Sequence, residues 1–189
     1  MLALWIQDDE ELLSRDGRIE AAIARLALGD MTGLEMLYGE IRTDVYAYAL
    51  SKLADPTLAE DVAHDTFVQI YKYASHYRAE GKPLAWIFTI ELNMIRRYFR
   101  TKNRSVSLED VLEPRVEEDF TLRVINRELL REMLARLSEE EREVITLHAV
   151  SGLKHREIAA LLDQPLSTVL SRYNRAIKKI NAIEKGEIL

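Results

Sequence analysis

The chain has 189 residues, 48% of them hydrophobic, a formal net charge of -6 and no cysteine. That hydrophobic content is enough for packed cores and argues for a globular chain, while the missing cysteine excludes a disulfide framework, a thiol nucleophile and a cysteine metal site. No apolar run approaches the ~20 residues of a membrane span, and the opening MLALWI lacks a basic flank and runs into Asp8, Asp9, Glu10 and Glu11, a poor signal peptide, so the protein is expected to stay in the cytoplasm.

Residues 1–19 read as an N-terminal extension whose role the pattern does not assign. Leu34, Leu37, Tyr38, Ile41, Val45, Tyr48, Ala49 and Leu53 then recur at steps of three and four, which predicts one long amphipathic helix. Asp55 is placed as an N-cap and Pro56 as a first-turn residue, so a second helix should start there and carry Leu58, Val62, Phe67, Ile70 and Tyr73 inward. A turn at Ala79-Glu80-Gly81-Lys82 precedes Pro83 and a third helix, roughly Leu84 to Lys102. From Leu92 to Val106 there are five bases, Arg96, Arg97, Arg100, Lys102 and Arg104, and no acid. Aromatic rings interleave with these arginines, a pattern that suits melted or single-stranded nucleic acid, where bases stack and guanidinium groups hold phosphates. Trp86 and Phe88 individually read better as core residues.

Ser107 to Thr121 reverses the charge, with six acids against the single base Arg115, and it contains Pro114 without a clean helical period. It is expected to link two helical domains, spanning 20–105 and 122–189, with the acidic flexible linker at 106–121. Opposed charge blocks suggest two different partner surfaces. In the second domain Ile125, Leu129, Met133 and Leu134 give an apolar face to a helix from Leu122 to Leu137. Ser138-Glu139-Glu140-Glu141 forms a capping box ahead of Val144, Ile145 and Leu147, and Gly152 is placed to stop that helix.

The segment Gly152 to Ile180, GLKHREIAALLDQPLSTVLSRYNRAIKKI, has the spacing of a helix-turn-helix. A first helix from His155 to Leu162 puts the small Ala159 at the crossing, and the chain turns at Asp163-Gln164-Pro165. In the second helix Val169, Tyr173, Ala176, Ile177 and Ile180 form the apolar back. Ser167, Thr168, Ser171, Arg172, Arg175, Lys178 and Lys179 are left for solvent or nucleic acid. An ordinary helical hairpin with a solvated basic face has the same spacing.

Three motifs together resemble the extracytoplasmic-function (ECF) sigma factors of the sigma-70 family: AEDVAHDTFVQIYKY (Ala59 to Tyr73), KPLAWIFTIELNMIRRYFR (Lys82 to Arg100) and the run from Leu137 to Ile180. The resemblance implies an all-α fold with a sigma2-like helical bundle and a sigma4-like helix-turn-helix domain. It also implies work in bacterial transcription initiation with core RNA polymerase and promoter DNA as partners, and commonly an anti-sigma factor. Asp61, His64, Asp65 and Gln69 are then the implied polymerase contacts, which chemistry alone would leave as a solvated helical face. Tyr77, Arg78, Gly81 and Lys82 would help to form a pocket for a base extruded from the promoter -10 element, and a plain surface turn is the alternative there. Asn93, Arg96, Arg97, Arg100 and Arg104 would line the melted strand. Ser167, Thr168, Ser171, Arg172 and Arg175 would read the -35 element, with Lys178 and Lys179 on backbone or in water. The acidic linker resembles the segment that family members thread through the polymerase cleft; a solvated tether has the same composition.

Several positions depart from the family pattern. Asp163 stands where glycine is usual, Leu170 where a base is common, Glu91 and Leu92 where small and basic residues are usual, and His64 where glutamine is frequent. The change at Glu91 and Leu92 is expected to lower positive charge on the strand-lining helix, and Leu170 to remove a phosphate contact or to offer an apolar contact to a thymine methyl. No catalysis, cofactor, small-molecule substrate or metal is expected: the four histidines fall on different predicted helices without ligand spacing, and there is no glycine-rich phosphate loop. A repressor or activator with the same helix-turn-helix would leave the aromatic and arginine helix and the acidic linker unexplained, and a sigma-mimicking adaptor would usually carry a receiver domain, whose alternating strand and helix pattern does not appear in the sequence.

Overall fold

The structure, a computed structural model, describes residues 14–104 and 136–184. The linker at 106–121, most of the helix expected from Leu122 and the first 13 residues lie outside the described residues. What is described is helical: α1 (Arg15–Ala27), α2 (Thr32–Leu53), α3 (Pro56–Tyr73) and α4 (Pro83–Arg104), then α5 (Glu139–Ile145), α6 (His155–Leu161) and α7 (Leu166–Glu184). A short 3₁₀ turn, Ala74–His76, follows α3, and α5 runs on into a π-helical turn, Thr146–Val150.

Local chemistry sets these boundaries. The Ser14 side chain accepts from the Gly17 amide at 3.0 Å, which starts α1 inside the stretch expected to be an extension. Arg15 to Ile19 therefore belong to the packed fold, and Ile19 is fully buried. The Asp55 carboxylate caps the Leu58 amide at 3.1 Å with Pro56 in the first turn of α3. Ser138 and Glu141 close the expected capping box, and Gly152 takes a φ of +79°, a conformation glycine adopts without strain, to turn the chain toward α6. Gly33 serves closeness instead: a Cβ there would run into the Ala22 carbonyl oxygen, so α1 and α2 can approach only without a side chain.

Ile19, Ile23, Leu37, Ile41, Tyr48, Ile70, Ile87, Phe88 and Ile95 fill the space between α1 and α4. Leu147, Leu153 and Ile158 from the second half join the same core. The two halves, expected to be independent on their tether, are thus in contact. The fully buried Tyr48 hydroxyl donates to Glu143 at 3.0 Å, the Lys52 ammonium reaches Glu139 at 2.7 Å and Glu143 at 3.3 Å, and Arg15 donates to the Ser151 carbonyl at 3.4 Å. The Glu143 carboxylate is buried, so its two partners are what make its burial tolerable.

Glu91 departs from the expectation set for it. It is 0% exposed and Leu92 is buried beside it, so neither residue changes the charge of the outward face of α4. Its carboxylate has no hydrogen-bond partner of normal geometry, and burial pushes it well above the usual carboxylate range, the Ala49 amide opposing only in part.

Candidate nucleic-acid interface

α6 and α7 form the expected helix-turn-helix. Ala159 is buried at the crossing, and Asp163 takes the turn with a φ of +53°, the left-handed conformation that aspartate tolerates better than most residues. The Gln164 amide donates back to the Ala159 carbonyl at 2.9 Å. α7 starts one residue before the expected Ser167. It buries Val169 and Ala176, with Tyr173, Ile177 and Ile180 half-buried.

The residues expected to read duplex DNA do not all face water alike. Ser167, Ser171, Arg175 and Lys178 are exposed, whereas Thr168, Arg172 and Lys179 are half-buried. Arg172 donates to the Gln164 side-chain carbonyl across the turn. Arg175 donates to the Ser171 hydroxyl at 2.9 Å and leans on Glu141 at 3.4 Å. Lys179 pairs with the same buried Glu141 at 2.6 Å. Burial works to raise the Glu141 carboxyl, but the Lys179 ammonium, the Ser138 amide and Arg175 together hold it below its usual value. Glu141 thus joins the start of α5 to the side of the recognition helix, a role its place in the capping box did not announce.

His148 and His155, which sequence spacing left unrelated, meet behind α7. Their rings stack at 4.2 Å, and Tyr173 closes edge-on to both at 4.9 and 4.6 Å. His148 Nδ1 bonds to the Leu153 carbonyl at 2.8 Å, and burial followed by the neighbouring His148 lowers the pKa of His155. Among the described residues no group of three or more metal-ligating side chains converges.

The second surface lies on the first half. Asn93, Arg96, Arg97 and Arg100 are exposed on one face of α4, and the three guanidinium groups make no ion pair or hydrogen bond with the described residues. Arg104 ends this helix, and its side chain lies outside the described residues. At the other end of α4 the turn 77–82 is held by a residue that sequence reasoning missed. Glu20, on α1, accepts from the Tyr77 hydroxyl at 2.6 Å and from the Gly81 amide at 3.0 Å with one oxygen. Partial burial and then the Glu20 hydrogen bond push the Tyr77 phenol far above its usual range, so it stays a donor. Tyr77 lies 4.9 Å from Trp86, ring to ring, while Phe88 is wholly in the core. Tyr77, Arg78, Lys82 and Trp86 face Arg156 and Leu161 of α6 across a cleft of about 720 Å³.

On α3, Asp61, His64 and Asp65 are exposed and Gln69 is half-buried, on the side opposite Val62, Phe67 and Ile70. These four residues share one face, clear of the contact between the two halves.

Residues 37–105 match sigma-70 region 2 and residues 127–180 match sigma-70 region 4. The ECF RNA polymerase sigma-E factor of Haemophilus influenzae is 27% identical over 175 residues, covering 85% of this chain and 92% of its own. That of Escherichia coli K12 is 25% identical over 176 residues, with coverage of 86% and 92%. Among solved structures, CnrH in complex with the cytosolic domain of CnrY is 26% identical with a TM-score of 0.63 over 93% of this chain and all of that one. The sigma factor RpoE of Bartonella quintana, solved with the anti-sigma factor NepR, shares the fold at a TM-score of 0.64 and 23% identity over 80% of this chain and 96% of that one. Both family regions, matched in order, and the ECF sigma-E relatives place this chain in the sigma-70 family, in its extracytoplasmic-function branch of RNA polymerase sigma factors.

Proposed function

We propose that the two halves divide the work of a promoter-specificity subunit that has no catalysis of its own. Residues 20–105 dock on core RNA polymerase through Asp61, His64, Asp65 and Gln69. They take the melted -10 strand on Asn93, Arg96, Arg97, Arg100 and Arg104, with Tyr77, Arg78 and Lys82 beside an extruded base. Residues 122–189 present Ser167, Thr168, Ser171, Arg172 and Arg175 to the -35 element, and the acidic linker 106–121 joins the two. The observation that carries this reading is the open arginine face of α4, because three guanidinium groups on one helix face, unpaired among the described residues, have no task in holding that part of the fold together.

Size adds a constraint. A packed chain of this length has a radius of gyration of about 16 Å, whereas two elements about 25 base pairs apart are separated by roughly 85 Å of duplex. The contact through Tyr48, Lys52 and Arg15 must therefore open for both elements to be read at once. An anti-sigma partner fits the packed state, since the related CnrH is known in complex with a cytosolic domain of a second protein. No described helix is long and apolar enough to cross a membrane.

Purified chain mixed with bacterial core polymerase should co-elute with it and should confer run-off transcription from promoters recovered by sequencing transcripts after overexpression. A chain that binds promoter duplex but never associates with core polymerase would point to the repressor reading instead.

A further inference from the structure

The recognition helix has two flanks, and they differ in what they can still bind. With about 100° between successive residues, Ser167, Ser171 and Lys178 point straight away from the buried Val169 and Ala176 and the half-buried Tyr173 and Ile180. Arg175 and Arg172 lie to one side of that line, and there the guanidinium groups already bond to Ser171, Glu141 and Gln164. Leu170 and Asn174 lie to the other. Leu170 is 38% exposed, a branched apolar side chain on the polar face of a surface helix. Asn174 is exposed, and its carboxamide makes no hydrogen bond with the described residues.

We infer that Leu170 and Asn174 are the specificity-determining pair of this helix and that they select two A·T base pairs in the -35 element. This deepens the proposed function and rests on it. The chemistry follows from what the major groove displays. A carboxamide can accept from adenine N6 and donate to N7 with both of its groups, and an apolar branch packs on the C5-methyl of thymine; neither side chain satisfies a guanine O6 and N7 pair, which calls for arginine or lysine. Here the arginines that could supply that pair lean on protein partners on the opposite flank, so they position the helix and reach phosphate. The two selective residues are one turn apart, about 6 Å along the helix axis, against about 3.4 Å for each base-pair step. The selected A·T pairs should therefore lie one or two steps apart. Ser167 and Ser171, between the flanks, can hydrogen-bond to either kind of base edge and add little discrimination.

The experiment uses the full chain assembled with core polymerase and a promoter library randomised across the -35 element, with transcripts sequenced. The expected outcome is enrichment of A·T at two positions one or two steps apart. Asn174→Ala should lower the preference for adenine at one of them by about tenfold and leave the other unchanged. Leu170→Arg should shift the second position from A·T toward G·C. Replacing its thymine with uracil, which removes only the methyl group, should weaken initiation by the natural chain about threefold and leave the Leu170→Arg protein indifferent. Both residues are exposed, and unchanged circular dichroism and melting of the variants separates lost reading from lost folding. If natural and variant chains enrich the same sequence, or if uracil has no effect, the assignment of this pair is overturned while the sigma role stands. If no position upstream of the melted region is enriched at all, the -35 role of α7 falls with it.

Discussion

The arginines of α4 and of α7 have the same chemistry and different employment. The guanidinium groups of Arg96, Arg97 and Arg100 stand on an exposed helix face without an ion pair or hydrogen bond to the described residues, whereas Arg172 and Arg175 are tied to Gln164, Ser171 and Glu141. A cation whose head group bonds to none of the described residues should leave that part of the fold unchanged when removed and lose its effect at the ligand. One that also holds a helix in place loses something on both sides. The contrast separates a surface kept for phosphate from a surface built to hold its own shape.

The strongest way to break that contrast is to remove the α4 cations together. Arg96→Ala, Arg97→Ala and Arg100→Ala combined should lower open-complex formation by roughly a hundredfold at low salt, because every guanidinium withdrawn from a phosphate takes its counterion-release contribution with it. The melting temperature should not change. Arg172→Ala with Arg175→Ala should weaken -35 binding by a smaller factor and should also lower the melting temperature. Permanganate footprinting of the melted region, read beside circular dichroism melts, checks both. If the α4 triple variant unfolds, those arginines have structural partners after all.

Glu20 sharpens the same comparison on the loop at 77–82. Glu20→Ala releases the Tyr77 hydroxyl and the Gly81 amide together, and opening should fall by about tenfold, the size expected when a pocket loses its preorganisation. Glu20→Gln keeps an acceptor at the same place and should restore most of the activity. Equal loss in the two variants would show that charge, and not the shape of the loop, is what Glu20 supplies.

How much of this was legible in the chain depends on how far apart the interacting residues are. The caps at Asp55 and Ser138, the turn at Asp163 and the apolar back of α7 are local patterns, written within four residues of where they act. Periodicity found them. Glu20 and Tyr77 are 57 positions apart and Tyr48 and Glu143 are 95 apart, so no local pattern could pair them. Glu91 misled for a related reason: a carboxylate beside a basic face reads as a surface charge, and only the packing of α4 on α2 puts it in the core. Asn174 belongs to the solvent side of α7, but an uncharged carboxamide among serines and bases carries no signal of its own until Arg172 and Arg175 are seen to be paired and its own carboxamide, among the described residues, is not. The expected independence of the two halves came from the acidic block between them, which says nothing of what buries Tyr48.

Glu141 tests whether the recognition helix needs its internal partners. Glu141→Ala removes half of the capping box and leaves Lys179 and Arg175 facing each other without the carboxylate between them. About 1–2 kcal/mol of stability should be lost, the usual size for a helix cap with a buried hydrogen bond. Glu141→Gln keeps the cap and should recover part of it. Chemical denaturation of both variants measures the difference, and an unchanged midpoint for Glu141→Ala would make the cluster a solvated one.

The smallest effect is also the one that most clearly opposes the two halves. In the first half, Glu91 is buried beside Tyr48, with Asp44 among the groups that raise it, so the folded state holds its proton more tightly than the unfolded chain does. Stability from this group is therefore fully present below about pH 4.5, the unfolded carboxylate range, and is lost as pH rises through the higher folded value. In the second half, His155 is packed against His148 and Tyr173 with its pKa lowered from 6.5, so the unfolded chain takes the proton more readily. Its contribution is present above about pH 6.5 and is lost as pH falls through the lowered value. Melting temperatures between about pH 5 and pH 8 should thus respond in opposite senses to the two substitutions. Glu91→Gln should raise the curve most at the alkaline end, and His155→Gln should flatten the decline at the acid end. Because the halves share one core, the natural chain should melt in a single transition at every pH, and a split into two would show that the contact at Tyr48 and Glu143 opens before either half unfolds.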